Sequence, residues 1–175
     1  MRTDVVLTVT GPDRVGIVEE VTQALLAVDG NVGTSRMARL GGEFAILMLA
    51  SVPADSVDAL ESALGSLASQ GYRVAVTPTH PAASVEQSTW PTFRIDVEGA
   101  DHEGIVHEIA RGLSGAGISI ESMETGTSDA PTTGATLFTM SVVVAVPPGL
   151  DEVEWRSNLG AAAEASSVDV EVCPL

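Results

Sequence analysis

One stretch of this chain occurs twice. Gly11-Pro12-Asp13-Arg14-Val15-Gly16-Ile17-Val18 returns as Gly99-Ala100-Asp101-His102-Glu103-Gly104-Ile105-Val106, at an offset of 88 residues. The offset holds upstream, where Phe93, Ile95 and Val97 echo Val5, Leu7 and Val9. It also holds downstream, where Ile105, Ile109 and Leu113 echo Ile17, Val21 and Leu25. A period of about half the chain means two similar domains. The expected division is a first domain over residues 1–78, a linker over 79–91 and a second domain over 92–175.

Within each copy the pattern changes at the repeated stretch. Val5, Leu7 and Val9 alternate with Val6, Thr8 and Thr10, as in a strand with two different faces. Ile17, Val21, Ala24, Leu25 and Val28 follow at helical spacing. Strand, tight turn and helix is the expected order, with Asp13 capping the helix and Gly16 in its first turn. Further on, Asn31 and Val32 restart the chain as a strand to Leu40, and Gly41-Gly42 marks a hairpin. The next strand, Phe44 to Val52, is apolar on both faces, so its second face needs a partner. A second helix carries Val57, Leu60, Leu64 and Leu67, and a last strand carries Val74 and Val76.

The order βαββαβ predicts an α+β class of two ferredoxin-like domains in tandem, each an antiparallel sheet with both helices on one face. The second copy follows the same order. Its first helix is expected from about His102 to Ala116. Its hairpin loop, Ser128 to Gly134, is about four residues longer than its counterpart. Its last helix is read with Leu150, Val153, Leu159 and Ala162 inward.

Charge narrows the function. The formal net charge is −16, and all eight basic residues are arginines spread over both copies. A protein that grips DNA neutralises roughly 6–10 phosphates, which would need nearly all of these arginines on one face. Direct nucleic-acid binding is therefore not expected. Without lysine the chain has neither a Schiff-base residue nor a phosphate loop ending in Gly-Lys. No apolar run reaches the length of a membrane span, and no signal peptide is apparent. The lone Cys173 reads as a minor core residue, and a cytoplasmic protein is expected.

The turn itself can be read as a site. A helix N-terminus presents unpaired N–H groups and a partial positive charge, which suit a carboxylate. Gly16 would let that carboxylate approach, Asp13 could hold an ammonium group, and Asn31 could donate and accept. Together these suit a free amino acid. The same residues also suit a plain reading, with Asp13 as cap, Gly16 relieving crowding and Asn31 in a turn. The residues alone leave both open. In the second copy Pro12, Arg14, Val15 and Asn31 become Ala100, His102, Glu103 and Ser119, while Asp101 and Gly104 remain. Glu103 places negative charge where a carboxylate would dock, so a supporting role is favoured there over a different ligand.

Gly-Pro-Asp-Arg-Val-Gly-Ile-Val followed by Asp-Gly-Asn-Val resembles the opening of an ACT domain, a small-molecule regulatory module. The resemblance covers nearly the whole chain, twice. A free-standing pair of such domains is similar to the glycine cleavage system transcriptional repressor family. It implies amino-acid sensing without catalysis, with glycine or a similar small amino acid bound where two ACT domains meet. Carried over by residue, it points to Asp13, Arg14, Val15, Gly16 and Asn31, with Asp101 and Gly104 as the second copy's counterparts. It also implies a regulatory protein partner, a transcriptional activator of glycine cleavage genes, and no direct contact with DNA.

No catalytic residue, cofactor, metal or membrane contact is expected. His102 and His107 are five apart, whereas helical ligand pairs sit three or four apart. Glu19, Glu20, Asp151, Glu152 and Glu154 read as solvated groups in helix first turns. A homodimer is expected from the apolar strand faces. Two other functions remain open: a regulatory subunit of an amino-acid biosynthetic enzyme, docking through the Phe44–Ala50 strand, and a dimerisation module with a vestigial ligand site.

Overall fold

The computed structural model describes residues 1–79, 89–129 and 135–175. The expected linker lies mostly outside the described residues, at 80–88, as does the tip of the second hairpin loop at 130–134, Gly134 included. The chain forms two compact units, Met1–Pro81 and Ala82–Leu175.

The first unit runs β1 (Arg2–Pro12), α1 (Ile17–Ala27), β2 (Asn31–Leu40), β3 (Glu43–Pro53), α2 (Val57–Ala68) and β4 (Arg73–Thr79). The second runs β5 (Thr92–Ala100), α3 (Ile105–Gly115), β6 (Ser119–Asp129), β7 (Thr136–Ala145), α4 (Glu152–Ala165) and β8 (Val168–Pro174). The sheets are antiparallel, with orders β2-β3-β1-β4 and β6-β7-β5-β8. This is the expected ferredoxin-like arrangement, formed twice.

Alternation along β1 sends Val5, Leu7 and Val9 into the core, where they meet Ile46, Met48, Ala50 and Val52 of β3. The helices cover this face with Ile17, Val21 and Leu25 from α1 and Leu60, Leu64 and Leu67 from α2. Each such side chain contributes about 1.5–3 kcal/mol when fully buried. Gly41 and Gly42 have φ of 58° and 89°, the left-handed pair that a two-residue hairpin needs.

The other face of β3 stays open, with Leu47 52% and Leu49 38% exposed. The helices of this unit, α1 and α2, lie on the opposite side.

Several expectations shift. α3 begins at Ile105, three residues after the expected His102, because Gly104 at φ 99° ends the turn there. Of the α4 positions read as inward, Leu159 is buried and Leu150 and Ala162 pack partly buried against the core, but Val153 is 79% exposed. Trp155 and Ala163 complete the buried stripe with Leu159, four residues apart, and Trp155 meets Phe93 edge-on at 5.4 Å between ring centres. Cys173 is not a core residue: it pairs with Arg94 across β5 and β8, half-buried on the sheet side away from the helices.

Candidate functional site

β1 ends in Gly11-Pro12, and the chain crosses to α1 through Asp13, Arg14, Val15 and Gly16. Gly11 is set by packing. A Cβ there would lie 2.5 Å from the ring of Tyr72, and one at Gly99 would lie 2.7 Å from Val168. The Tyr72 hydroxyl donates to the Pro12 carbonyl and holds this end of β1 against the start of β4.

Asp13 does not cap α1, contrary to the expectation. The N-cap is Gly16, at φ 93°, and no side chain caps the helix. Asp13 sits too far upstream to reach the first-turn N–H groups. Its own N–H donates to the Gly42 carbonyl at 2.9 Å, which anchors the turn to the β2–β3 hairpin. Its carboxylate faces Arg39, with Nη1 at 3.4 Å from Oδ2. Gly16 is likewise not within the first turn. The left-handed backbone calls for glycine at this point whether or not a ligand approaches.

The consequence is a helix start left open. A Cβ on Gly16 would meet nothing nearer than Arg14 Nη1 at 3.9 Å. A cleft of about 520 Å³ lies beside the turn, lined by Asp13, Arg14, Gly16, Ile17, Val18, Glu19, Thr22 and Phe44. Val15, at the tip, is fully exposed.

Arg14 borders this cleft while its guanidinium is anchored to α1 and to the chain after α2. Its guanidinium pairs with Glu20 and donates to Gln70 Oε1 at 2.9 Å, while Gln70 Nε2 donates to Glu20 Oε1 at 3.2 Å. It also stacks over Tyr72 at 5.5 Å from the ring centre. Its Nε is buried with no hydrogen-bond partner. Glu20 is therefore not a solvated group, as the sequence suggested. The Arg14 hydrogen bond, followed by that from Gln70 and the Arg14 charge, holds its carboxyl below the usual carboxylate range despite desolvation.

Asn31 is the residue the fold takes away. β2 is not the neighbour of β1; β3 lies between them. Asn31 pairs with Ser51, whereas Pro12, beside Asp13, pairs with Glu43. Eight positions along β3 separate the two, roughly 27 Å. Asp13, Arg14, Val15 and Gly16 are brought together, and Asn31 stands at the far end of the same sheet.

The second turn repeats the backbone. Asp101 N–H donates to the Thr136 carbonyl at 2.9 Å, and Gly104 is an uncapped N-cap with nothing within 4 Å of a Cβ placed on it. Its side chains differ. His102, in the place of Arg14, reaches the Glu103 carbonyl at 2.9 Å through Nδ1 and the Ser166 carbonyl at 2.7 Å through Nε2. Both partners only accept, so the imidazolium alone donates to both. Those two hydrogen bonds, Glu103 first, raise its pKa against desolvation, with Asp101 adding to the rise.

Sequence reasoning missed Phe44, Thr22, Arg39, Gln70 and Tyr72 at the first turn. Only Tyr72 carried a signal, as the one tyrosine, placed next to Gly71. Among the described residues no group of three or more His, Cys, Asp or Glu is placed to hold a metal ion. No described helix is long and apolar enough to cross a membrane.

Comparison with known proteins places this geometry. Residues 3–74 match the ACT domain family model. Over 100 residues the chain is 31% identical to the glycine cleavage system transcriptional repressors of Escherichia coli K12 and Shigella flexneri, a match covering 55% of this chain and 52% of each repressor. The chain thus spans about half the length of the curated relatives it matches. A crystal structure of an unknown protein from Galdieria sulphuraria aligns over 100% of this chain and 99% of its own, with TM-score 0.88 and 35% identity. A crystal structure provisionally called a glycine cleavage system transcriptional repressor shares the fold, with TM-score 0.72 and 23% identity over 100% of this chain and 98% of its own. Residues 3–74 thus match an ACT domain, the second unit repeats the same fold, and the chain is similar to the glycine cleavage system transcriptional repressors.

Proposed function

We propose that this protein is a non-enzymatic, cytoplasmic regulator that binds a small free amino acid at the first turn and controls a partner protein. The observation that carries the reading is the open cleft at an uncapped helix start, with a carboxylate on its rim. The ligand carboxylate would lie over the N–H groups that begin α1, where the helix dipole favours an anion. Its ammonium group would face Asp13. The Asp13–Arg39 pair is long and its arginine is 72% exposed, so an incoming ammonium group displaces little, since exposed pairs are worth about 0–1 kcal/mol. Arg14, held by Glu20 and Gln70, positions the turn at the edge of the cleft.

Asn31 joins this site only from another ACT domain, because its own sheet holds it at the far end. That is the arrangement the family resemblance implies, with the ligand at a seam between domains. Glycine or a similarly small amino acid is the ligand that the family resemblance favours. The relatives are named transcriptional repressors, and the family resemblance makes a transcriptional activator the first reading for the partner. The open face of Leu47 and Leu49 keeps a biosynthetic enzyme as the second reading for that partner.

Isothermal titration of the full chain against the common amino acids tests the proposal. Saturable binding of glycine or another small amino acid is expected. No heat with any of them at millimolar concentration overturns the sensing role. Affinity capture then separates the partners: a transcription factor fits the first reading, and a metabolic enzyme fits the second.

A further inference from the structure

A small molecule held between Asp13 and the N–H groups that begin α1 needs the turn between them in one shape. The turn's own residues supply little of that. Val15 is fully exposed, and Gly16 sits at φ 93°, where glycine is the residue at ease. Two of the holds on this turn come from Tyr72, a residue between α2 and β4 that is 4% exposed. Its hydroxyl donates to the Pro12 carbonyl. Its ring lies under the Arg14 guanidinium, 5.5 Å from the ring centre, and that guanidinium is tied in turn to Glu20 and Gln70. One side chain thus grips the residue on each side of Asp13. Tyr72 is pinned in its own right, its N–H donating to the Leu67 carbonyl at 3.1 Å. Gly11 makes the room, since a Cβ there would lie 2.5 Å from the tyrosine ring.

The second copy keeps the space and loses the clamp. Gly99 stands where Gly11 stands, and a Cβ on it would strike Val168 at 2.7 Å. Val168 therefore occupies the place of Tyr72. Valine has no hydroxyl to give the Ala100 carbonyl and no ring to lie under His102. Glu108, the counterpart of Glu20 at the offset of 88, pairs with Arg111 on its own helix. His102 reaches the Ser166 carbonyl instead. The two turns share a backbone and differ in what holds it.

We propose that Tyr72 is a positioning residue that makes the first turn, and not the second, a binding turn for a free amino acid. This rests on the amino-acid reading of the first turn. Tyr72 does not line the cleft. It acts through the Pro12 carbonyl, one peptide before Asp13, and through Arg14, which borders the cleft. A turn held in shape before binding has less freedom left to lose, so the hold shows as affinity.

Tyr72→Phe provides the test, because it keeps the ring and removes the hydroxyl. Ile46→Val is the control for a plain loss of stability: Ile46 is buried in the same core and pairs with Val9 in β1. Amide hydrogen exchange on the ligand-free full chain compares Asp13, whose N–H donates to the Gly42 carbonyl, with Leu7 in mid-β1. Tyr72→Phe should speed exchange at Asp13 about fivefold relative to Leu7, the factor that one lost hydrogen bond of ordinary strength sets, and leave Asp101 unchanged. Ile46→Val should move Asp13 and Leu7 alike. In calorimetric titration with each of the common amino acids, Tyr72→Phe should bind about fivefold more weakly than the wild type, and Ile46→Val should equal it. Wild-type affinity in Tyr72→Phe, an equal loss in Ile46→Val, or exchange that rises alike at Asp13 and Leu7 in Tyr72→Phe overturns the positioning role and leaves the sensing reading standing. A wild type that binds none of the amino acids overturns both.

Discussion

The turns at Asp13–Gly16 and Asp101–Gly104 have the same backbone and different side chains. In both, an aspartate N–H donates to a hairpin carbonyl, and a left-handed glycine begins an uncapped helix. In both, the residue after the aspartate reaches the C-terminal end of the unit's second helix: Arg14 to Gln70, His102 to the Ser166 carbonyl. The shared part is what the fold needs to pass from a strand to a helix. The different part is what a site can use. The first turn has a permanent cation tied to Glu20, and an aspartate facing Arg39. The second has a titratable cation and Glu103 beside the helix start. Helix α4 shows the ordinary alternative, with Asp151 accepting from Val153 and Glu154 N–H. Such a cap satisfies the helix start and leaves no place for an anion.

The largest expected difference between the turns is in ligand affinity. Asp13→Asn should weaken amino-acid binding about tenfold or more, since hydrogen bonds to charged groups contribute about 1.5–3 kcal/mol. Asp101→Asn should leave it unchanged. Equal losses in titration calorimetry would make the two turns equivalent sites and break the comparison.

A smaller effect tests what the turns share. Gly16→Ala and Gly104→Ala should each destabilise their unit by about 1–2 kcal/mol, the cost of a left-handed residue with a Cβ. Urea unfolding of each variant measures this. If Gly16→Ala costs nothing, the glycine is there for ligand approach and not for the backbone.

The smallest effect separates the two cations. The raised pKa of His102 means that its charged form stabilises the fold fully below the ordinary imidazole range. That contribution is lost as pH rises through the raised value. His102→Phe should therefore lower Tm more at about pH 5.5 than at about pH 8.5. The Tm loss in Arg14→Met should be level across that interval, because arginine stays charged and Glu20, its carboxyl held low, stays ionised. Equal behaviour of the two variants would remove the distinction.

Periodicity made most of the fold legible. Val5, Leu7 and Val9 announced a one-sided strand, and Ile17, Val21 and Leu25 a one-sided helix. The offset of 88 residues carried both into the second copy. α4 was harder to read because small residues fill it: Ala161, Ala162 and Ala163 fit either face, and the anchor was Trp155. At the site, a contiguous motif was readable and its assembly was not. Asp13 through Gly16 stay together because the chain binds them, but the capping role assigned to Asp13 failed because φ at Gly16 starts the helix three residues later. Glu20 looked solvated because helix position alone does not show that Arg14, across the turn, and Gln70, 50 residues away, both reach it.

The sequence by itself determined that this chain folds twice into βαββαβ, since apolar spacing and turn residues are local and repeat. Tertiary structure alone decided which residues share a place. Strand order put β3 between β1 and β2, so Asn31 and Asp13 stand at opposite ends of one sheet. Register likewise put Arg36 and Arg73 on the open face of the first sheet, level with Thr8 and Thr10. Spacing along a strand says which side a residue faces, and only hydrogen-bonded pairing between strands says what stands beside it.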